Sequence, residues 1–187
     1  MLFSEVTVIQ ADGGLLSKAY VGIRDGRVAY LGTQRPAGDW GEELRGELLL
    51  IPGFFNSHTH VPMTLLRGYG DDMTLDRWLN DRIFPFEDKL TGEDVYWGSL
   101  LGIAEMLTSG TVSFTDMYYF CDRIVQAVEE SGIKANIGRG TSCFDPDRAF
   151  RELPAYADAR ELLRTAHGAA QGRILVDVSP HAEYTTR

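Results

Sequence analysis

The sequence has few cysteines, few basic residues and no long apolar run, and each shortage excludes a class of protein. Cys121 and Cys143 are its two cysteines, too few for a disulfide framework and unlike a thiolate zinc site. Lysine and arginine number 18 against 27 aspartates and glutamates, a formal net charge of −9, which argues against nucleic acid or an anionic membrane as the main partner. No apolar run is long enough to cross a bilayer and no secretory leader is recognisable at Met1, so we expect a soluble, cytoplasmic protein with free thiols.

The remaining composition is that of a globular protein. Hydrophobic residues make up 44% of the 187 positions and charged residues 24%, which excludes an intrinsically disordered chain. This length fits one domain of ordinary size, or a small domain attached to part of a larger one.

The most informative pattern is the pair His58 and His60, which closes an apolar run entered through Pro52-Gly53. The run predicts a short buried strand. Side chains on a strand alternate faces, so residues 58 and 60 point the same way. Two imidazoles on one face can share a metal ion at about 2.0–2.1 Å per Zn–N bond. The alternative is a pair of polar residues where a strand meets its loop, but the Pro-Gly entry and the motifs that follow favour the metal site.

The first fifty residues predict a small β-module. Alternating apolar residues at 5–9, 19–23 and 27–31 predict strands, and Asp25-Gly26 is a hairpin signal between the last two. A polar stretch at 34–43 predicts a surface loop.

From residue 51 onward, predicted strands alternate with predicted helices. The strands are one that ends at His58 and those at 111–116, 134–139 and 174–179, and the helices are those at about 92–107, 121–131 and 154–168. Thr91 is the predicted N-cap of the first helix. Such alternation implies parallel strands with helices outside. Four strands fit either half of a (β/α)₈ TIM barrel, which typically needs ~250 residues, or a small open α/β sheet. In the half-barrel, we expect Phe54, Ile137 and Leu175 to face the interior.

Ordered motifs run along nearly the whole chain. They are Pro52-Gly53-Phe54-Phe55-Asn56-Ser57-His58-Thr59-His60, residues 62–68, Asp71-Asp72, Trp78-Leu79, Phe84-Pro85-Phe86-Glu87, Ser109-Gly110-Thr111, Asp116-Met117-Tyr118, Arg139-Gly140, Pro180-His181-Ala182 and Tyr184-Thr185. In type, order and spacing they resemble the amidohydrolase superfamily and, within it, the 5′-methylthioadenosine/S-adenosylhomocysteine deaminase branch. The resemblance implies an α/β fold in which a β-sandwich module at residues 1–50 precedes the first four βα units of a metal-dependent TIM barrel at residues 51–187.

The resemblance also implies roles for individual residues. His58 and His60 would bind one divalent metal, zinc or alternatively iron. Glu87 would accept hydrogen bonds from the ribose hydroxyls, which suits a carboxylate, although on residue type alone it is a solvated loop acid. His181 would contact the purine, the alternative being a strand-end histidine bonded to backbone. Arg139 would bind the carboxylate of a homocysteine moiety through its guanidinium fork.

Two positions depart from the family pattern. A third position, Asp116, matches the pattern but is not expected to take part in catalysis or binding. Glu183 stands where proline usually follows His-Ala, and the second arginine of the branch has no clear match, since Arg148 and Arg151 both lie in a loop. Asp116 is interpreted as structural.

The resemblance places the remaining metal ligands and the proton-transferring glutamate beyond Arg187, so we expect no catalytic residue within this chain. The implied function is hydrolytic deamination of adenosine-type nucleosides. The implied partner is a purine nucleoside, and the complete protein is expected to be a homo-oligomer. Two alternatives stay open: an amidohydrolase that acts on guanine or a triazine, and a non-catalytic half-barrel that serves as a binding module.

Overall fold

The computed structural model describes residues 1–143, 145 and 147–185. By its internal contacts the chain divides into two compact units, one over Met1–Gly53 and one over Phe54–Arg187. Among the described residues, none of the helices combines the length and the apolarity that crossing a bilayer requires.

The first unit is built on one five-stranded sheet. Its strands are β1 (Leu2–Ile9), β2 (Leu15–Arg24), β3 (Arg27–Gly32), β4 (Glu43–Arg45) and β5 (Leu49–Leu50). The sheet order is β3-β2-β1-β4, and β5 also pairs with β1. The predicted hairpin is confirmed, since Asp25 and Gly26 both have positive φ (52° and 69°), as a two-residue type I′ turn between twisted strands requires. Val6, Ala19 and Val21 form the buried centre of this unit.

The second unit contains four parallel strands in sequence order. They are β6 (Phe54–Thr59), β7 (Thr111–Tyr118), β8 (Lys134–Thr141) and β9 (Ile174–Pro180). The helices between them are α3 (Gly92–Thr108), α4 (Cys121–Ser131), α5 (Pro154–Ala166) and the short α6 (Ala169–Gly172). Each predicted strand and helix of this unit is present with ends that differ by a few residues, so the mixed α/β class is confirmed.

The segment between β6 and α3 is more ordered than the sequence indicated. We expected one long loop, but it holds a 3₁₀ turn at Val61–Leu66, the short helices α1 (Leu75–Trp78) and α2 (Phe84–Glu87), and a π-helical turn at Leu79–Ile83 between these two. Helices of four residues are too short to show apolar periodicity, which explains why the sequence did not reveal them.

The core of the second unit lies between the sheet and its helices. Phe114, Ile124, Ile137 and Ile174 are at most 1% exposed there. The expectation that Ile137 faces the barrel interior is therefore wrong: it lies on the helix side, paired with Val176. Phe54 and Leu175, by contrast, are 55% and 50% exposed.

Helix α3 holds the segment that follows His60. Thr91 and Asp94 form a reciprocal capping box at its start, which confirms the predicted N-cap. A Cβ atom at Gly98 would lie 2.6 Å from the carbonyl oxygen of Pro62, and one at Gly102 would lie 2.7 Å from Cγ2 of Val61. The two glycines therefore let α3 approach the Val61–Leu66 turn at backbone distance.

Candidate active site

An irregularity in β6 brings the two predicted metal ligands together. Asn56 pairs with Phe114 and Thr59 with Asp116, so three residues of β6 match two of β7. A bulge of this kind redirects side chains next to sites. The rings of His58 and His60 lie with their centroids 5.2 Å apart in an edge-to-face arrangement. His58 thus lies within the irregular part of β6, and His60 is the first residue after the strand.

Two consecutive residues of β7 fix the position of His60. Its Nδ1 lies 2.6 Å from the carbonyl oxygen of Met117, to which a protonated Nδ1 donates. The backbone N–H of Val61 donates to Oδ1 of Asp116 at 2.6 Å. An imidazole whose Nδ1–H is held by a carbonyl presents an unprotonated Nε2, the form that binds metal ions.

The cavity around this pair has a volume of about 420 Å³. Besides the two histidines it is lined by Trp78, Glu87, Tyr118 and His181, among others. Burial lowers the pKa of His60, and the nearby His58 and His181 lower it further, against the opposing bond to Met117. The structure thus places four of the five predicted site residues around one space.

Glu87 ends helix α2 and is half-buried in this cavity. Burial raises the pKa of its carboxyl group, and the adjacent hydroxyl of Tyr118 opposes that rise. The pKa of Tyr118 is raised by its own burial and by the negative charge of Glu87. The hydroxyl and the carboxylate face each other without the geometry of a full hydrogen bond, so both have capacity left for a ligand.

His181 follows β9 and is held by Thr185. The backbone N–H of His181 donates to the carbonyl of Thr141 at 2.9 Å, and its Nδ1 lies 3.0 Å from Oγ1 of Thr185. Because that hydroxyl donates to the carbonyl of Ala182 at 3.1 Å, it accepts from the Nδ1–H of His181. The neutral ring then keeps Nε2 as an acceptor.

Arg139 lies outside the histidine cavity, in an adjoining groove of about 870 Å³. Its Nε donates to Oδ2 of Asp158 at 3.3 Å, and its guanidinium carbon lies 4.9 Å from the centre of the Tyr119 ring. Phe84, Glu87 and Tyr119 line both spaces. The groove and the cavity therefore adjoin at these three residues.

The two histidines fit a divalent metal ion but do not complete its coordination. On one tetrahedral ion with bonds of ~2.0–2.1 Å, two imidazole centroids lie about 5 Å apart, in agreement with the observed separation. Among the described residues, no group of three or more His, Cys, Asp or Glu side chains is placed to hold a metal. Since a catalytic zinc usually has three protein ligands, further ligands are required.

Comparison with protein-family models assigns the chain to a family. The model described as "Amidohydrolase family" matches residues 49–187. The chain belongs to the amidohydrolase family.

Amidohydrolases similar to this chain include two curated deaminases. It is 43% identical to a 5-methylthioadenosine/S-adenosylhomocysteine deaminase of Syntrophomonas wolfei over 99% of its own length and 43% of the relative's. It is also 43% identical to a 5′-deoxyadenosine deaminase of Methanothermobacter thermautotrophicus, over 93% of its length and 40% of the relative's. The chain thus spans less than half the length of both.

A solved amidohydrolase structure shows the same fold. The zinc-bound adenosine deaminase of Xanthomonas campestris superposes with a TM-score of 0.80 at 30% identity, over 100% of this chain and 44% of that protein.

Sequence reasoning missed the residues that support the site. The Met117 carbonyl contacts Nδ1 of His60, and the Asp116 carboxylate accepts from the N–H of Val61, which follows His60. Thr185 contacts His181, four residues before it. Asp116-Met117-Tyr118 and Tyr184-Thr185 did stand out as motifs, so the sequence marked these positions without indicating their contacts.

Proposed function

We propose that this chain is the N-terminal part of a metal-dependent hydrolytic deaminase of adenosine-type nucleosides. The observation that carries the proposal is the common cavity of His58, His60, Glu87 and His181. The names of the two curated relatives support the nucleoside substrate. By the complete protein we mean this chain together with the C-terminal portion that those relatives contain.

We extend the proposal to the fold of the complete protein. Residues 51–187 would supply the first four βα units of a TIM barrel and residues 1–50 a β-sandwich module. The four parallel strands in sequence order and the exposed Phe54 and Leu175 support this, because the second half of a barrel would cover such side chains. A homo-oligomeric state of the complete protein stays part of the proposal.

In the mechanism, His58 and His60 hold the metal, for which we propose zinc with iron as the alternative. When bound, such an ion lowers the pKa of a water molecule toward ~7. Glu87 accepts hydrogen bonds from the two ribose hydroxyls, and the unprotonated Nε2 of His181 offers an acceptor to the purine. Water adds its oxygen to C6 of the adenine ring, the bond from C6 to the exocyclic nitrogen breaks, and ammonia leaves with the inosine analogue as product. The group that moves protons is expected beyond Arg187.

The substrate's 5′ substituent would extend past Glu87 into the groove that contains Arg139. A guanidinium there can bind the carboxylate of a homocysteine moiety. The relatives are named for methylthio-, homocysteinyl- and deoxy-nucleosides, which differ at this substituent alone.

Replacement of Glu87 by glutamine in the complete protein tests the nucleoside assignment. The amide keeps the size of the side chain but loses one acceptor and the charge, so we expect kcat/KM for 5′-methylthioadenosine to fall by about 10- to 100-fold, at the scale of one or two charge-assisted hydrogen bonds. Deamination of free bases should be nearly unchanged. Steady-state ammonia release measures both, and Glu129→Gln, on the exposed surface of α4, is the matched control.

Equal losses on nucleosides and free bases would remove the nucleoside assignment and favour the guanine or triazine alternative. No ammonia from any of these substrates, with metal present, would favour a non-catalytic binding module.

A further inference from the structure

The groove beside the histidine cavity contains an opposite-charge pair, of which the proposed function uses only the arginine. Asp158 lies on α5 and Arg139 near the end of β8, and their side chains meet at 3.3 Å. The Arg139 side chain is 17% exposed and that of Asp158 is 58% exposed. The Arg139 side chain is thus largely buried in the wall of the groove, whereas the Asp158 carboxylate is exposed at the rim of the groove.

Both members of this pair have unused hydrogen-bonding capacity. Arg139 donates from Nε to Asp158 and from Nη1 to the carbonyl of Gly140 at 2.5 Å, which leaves Nη2 without a partner among the described residues. Asp158 uses Oδ2 for Arg139, and its Oδ1 has no partner in the same part of the chain. Nη2 of Arg139 can therefore donate to a ligand while Oδ1 of Asp158 accepts from it, and the ion pair between the two side chains stays intact.

Besides Glu87 and Asp88, two further acidic residues line the groove, and they are engaged differently. Glu161 is paired with Arg164 at 2.6 Å and Asp122 with Arg123 at 3.5 Å, and neither contacts Arg139. Tyr119 lies under the guanidinium of Arg139 and lines both the groove and the histidine cavity, as Glu87 does. Asp158 is thus the carboxylate that lies beside the arginine in the groove.

We infer that Asp158 is a specificity-determining residue that binds the ammonium group of an amino-acid-bearing 5′ substituent. The inference rests on the proposed deaminase function. An α-amino acid carries its carboxylate and its ammonium on the same carbon atom, so the two charges reach neighbouring partners of opposite sign. Arg139 takes the carboxylate through Nη2, and Asp158 takes the ammonium through Oδ1. A nucleoside with a methylthio group at the same position carries neither charge, so it forms no ion pair with Arg139 or Asp158.

The test compares three nucleosides in the complete, metal-loaded protein and its Asp158→Asn variant. One is S-adenosylhomocysteine, the second is the same thioether with the amine removed from its tail, and the third is 5′-methylthioadenosine. We expect Asp158→Asn to lower kcat/KM about tenfold for S-adenosylhomocysteine, at the scale of one charge-assisted hydrogen bond. The change should be less than about twofold for 5′-methylthioadenosine, and the preference of the wild type for the amine-bearing tail over the amine-free one should disappear.

Each other result would overturn the inference. If Asp158 merely neutralises Arg139, then Asp158→Asn will raise kcat/KM for both carboxylate-bearing tails. If its role is purely structural, all three substrates will change together. Glu129→Gln removes the same charge outside the groove and should leave all three values unchanged. If the complete protein deaminates none of the three nucleosides, the proposed function itself is contradicted. If Asp158→Asn deaminates all three with the preference of the wild type, only the inference about Asp158 is contradicted.

Discussion

At the scale of single residues, a buried carboxylate beside the histidine site holds the backbone that follows His60. Asp116 is 1% exposed, its Oδ1 accepts from the N–H that follows His60, and its Oδ2 has no partner among the described residues. Burial raises the pKa of Asp116 from 3.8 to about 7, against the opposing bond from Val61. A buried oxygen without a partner is costly, and Asp116 holds the backbone directly after the proposed metal ligand His60.

The raised pKa predicts a pH-dependent stability. Because the folded state binds the proton of Asp116 more tightly than the unfolded state, the stability that this group contributes is complete below about pH 4 and is lost as pH rises to about 7. Asp116→Asn keeps an acceptor for Val61 and cannot titrate. The variant should therefore lose less stability than the wild type over that interval, with an upper limit on the order of 4 kcal/mol for the difference.

Urea unfolding at several pH values between 4 and 8 measures this difference. Asp122→Asn, at an exposed carboxylate in the first turn of α4, is the control and should keep the wild-type slope. If the free energy of unfolding changes with pH in the same way for wild type and Asp116→Asn, then Asp116 is ionised over the whole interval from pH 4 to 8 and other groups offset its burial.

At the scale of elements, helix α3 packs tightly against the Val61–Leu66 turn that follows His60. Glycines at 98 and 102 remove the side chains that would separate them. Glycine costs roughly 1 kcal/mol relative to alanine inside a helix, so this contact is maintained against the helix propensity of α3.

Alanine at position 102 should push this turn away. Its Cβ would lie 2.7 Å from Cγ2 and 3.0 Å from the carbonyl oxygen of Val61, and the backbone atom cannot move aside alone. We expect a loss of about 1–3 kcal/mol in the free energy of unfolding, which thermal or urea unfolding measures. Gly92→Ala in the same helix meets only the flexible side chain of Arg123 at 3.2 Å and should be neutral or stabilising. Equal effects of the two substitutions would show that the α3 contact is not tight.

The sequence revealed most elements of the second unit because their signals are local. Thr91 caps α3, Gly132 ends α4 with a φ of 81°, and apolar runs mark the strands. What it did not reveal depends on tertiary contacts. Ile137 was assigned to the wrong face because a run of mixed small residues leaves the strand parity open, and Asp158 was overlooked because nothing local on α5 indicates a partner 19 residues earlier.

At the scale of the whole molecule, four of the five candidate site residues of the chain lie around one cavity. The ends of β6 and β9 and helix α2 bring three imidazoles and a carboxylate to this cavity. The side chains of Phe54, Phe55 and Leu175 are at least half exposed, which is more apolar exposure than a finished sheet face usually shows. Both facts agree with a chain that spans less than half the length of its curated relatives.

The central claim is that His58 and His60 hold the metal of a nucleoside deaminase, and ammonia release from 5′-methylthioadenosine by the complete protein tests it most directly. The account predicts release that requires zinc or iron, and a decrease of several orders of magnitude in kcat/KM when His60 is replaced by alanine, with metal content lowered in parallel. A His60→Ala protein that keeps its metal and the wild-type rate would contradict the account.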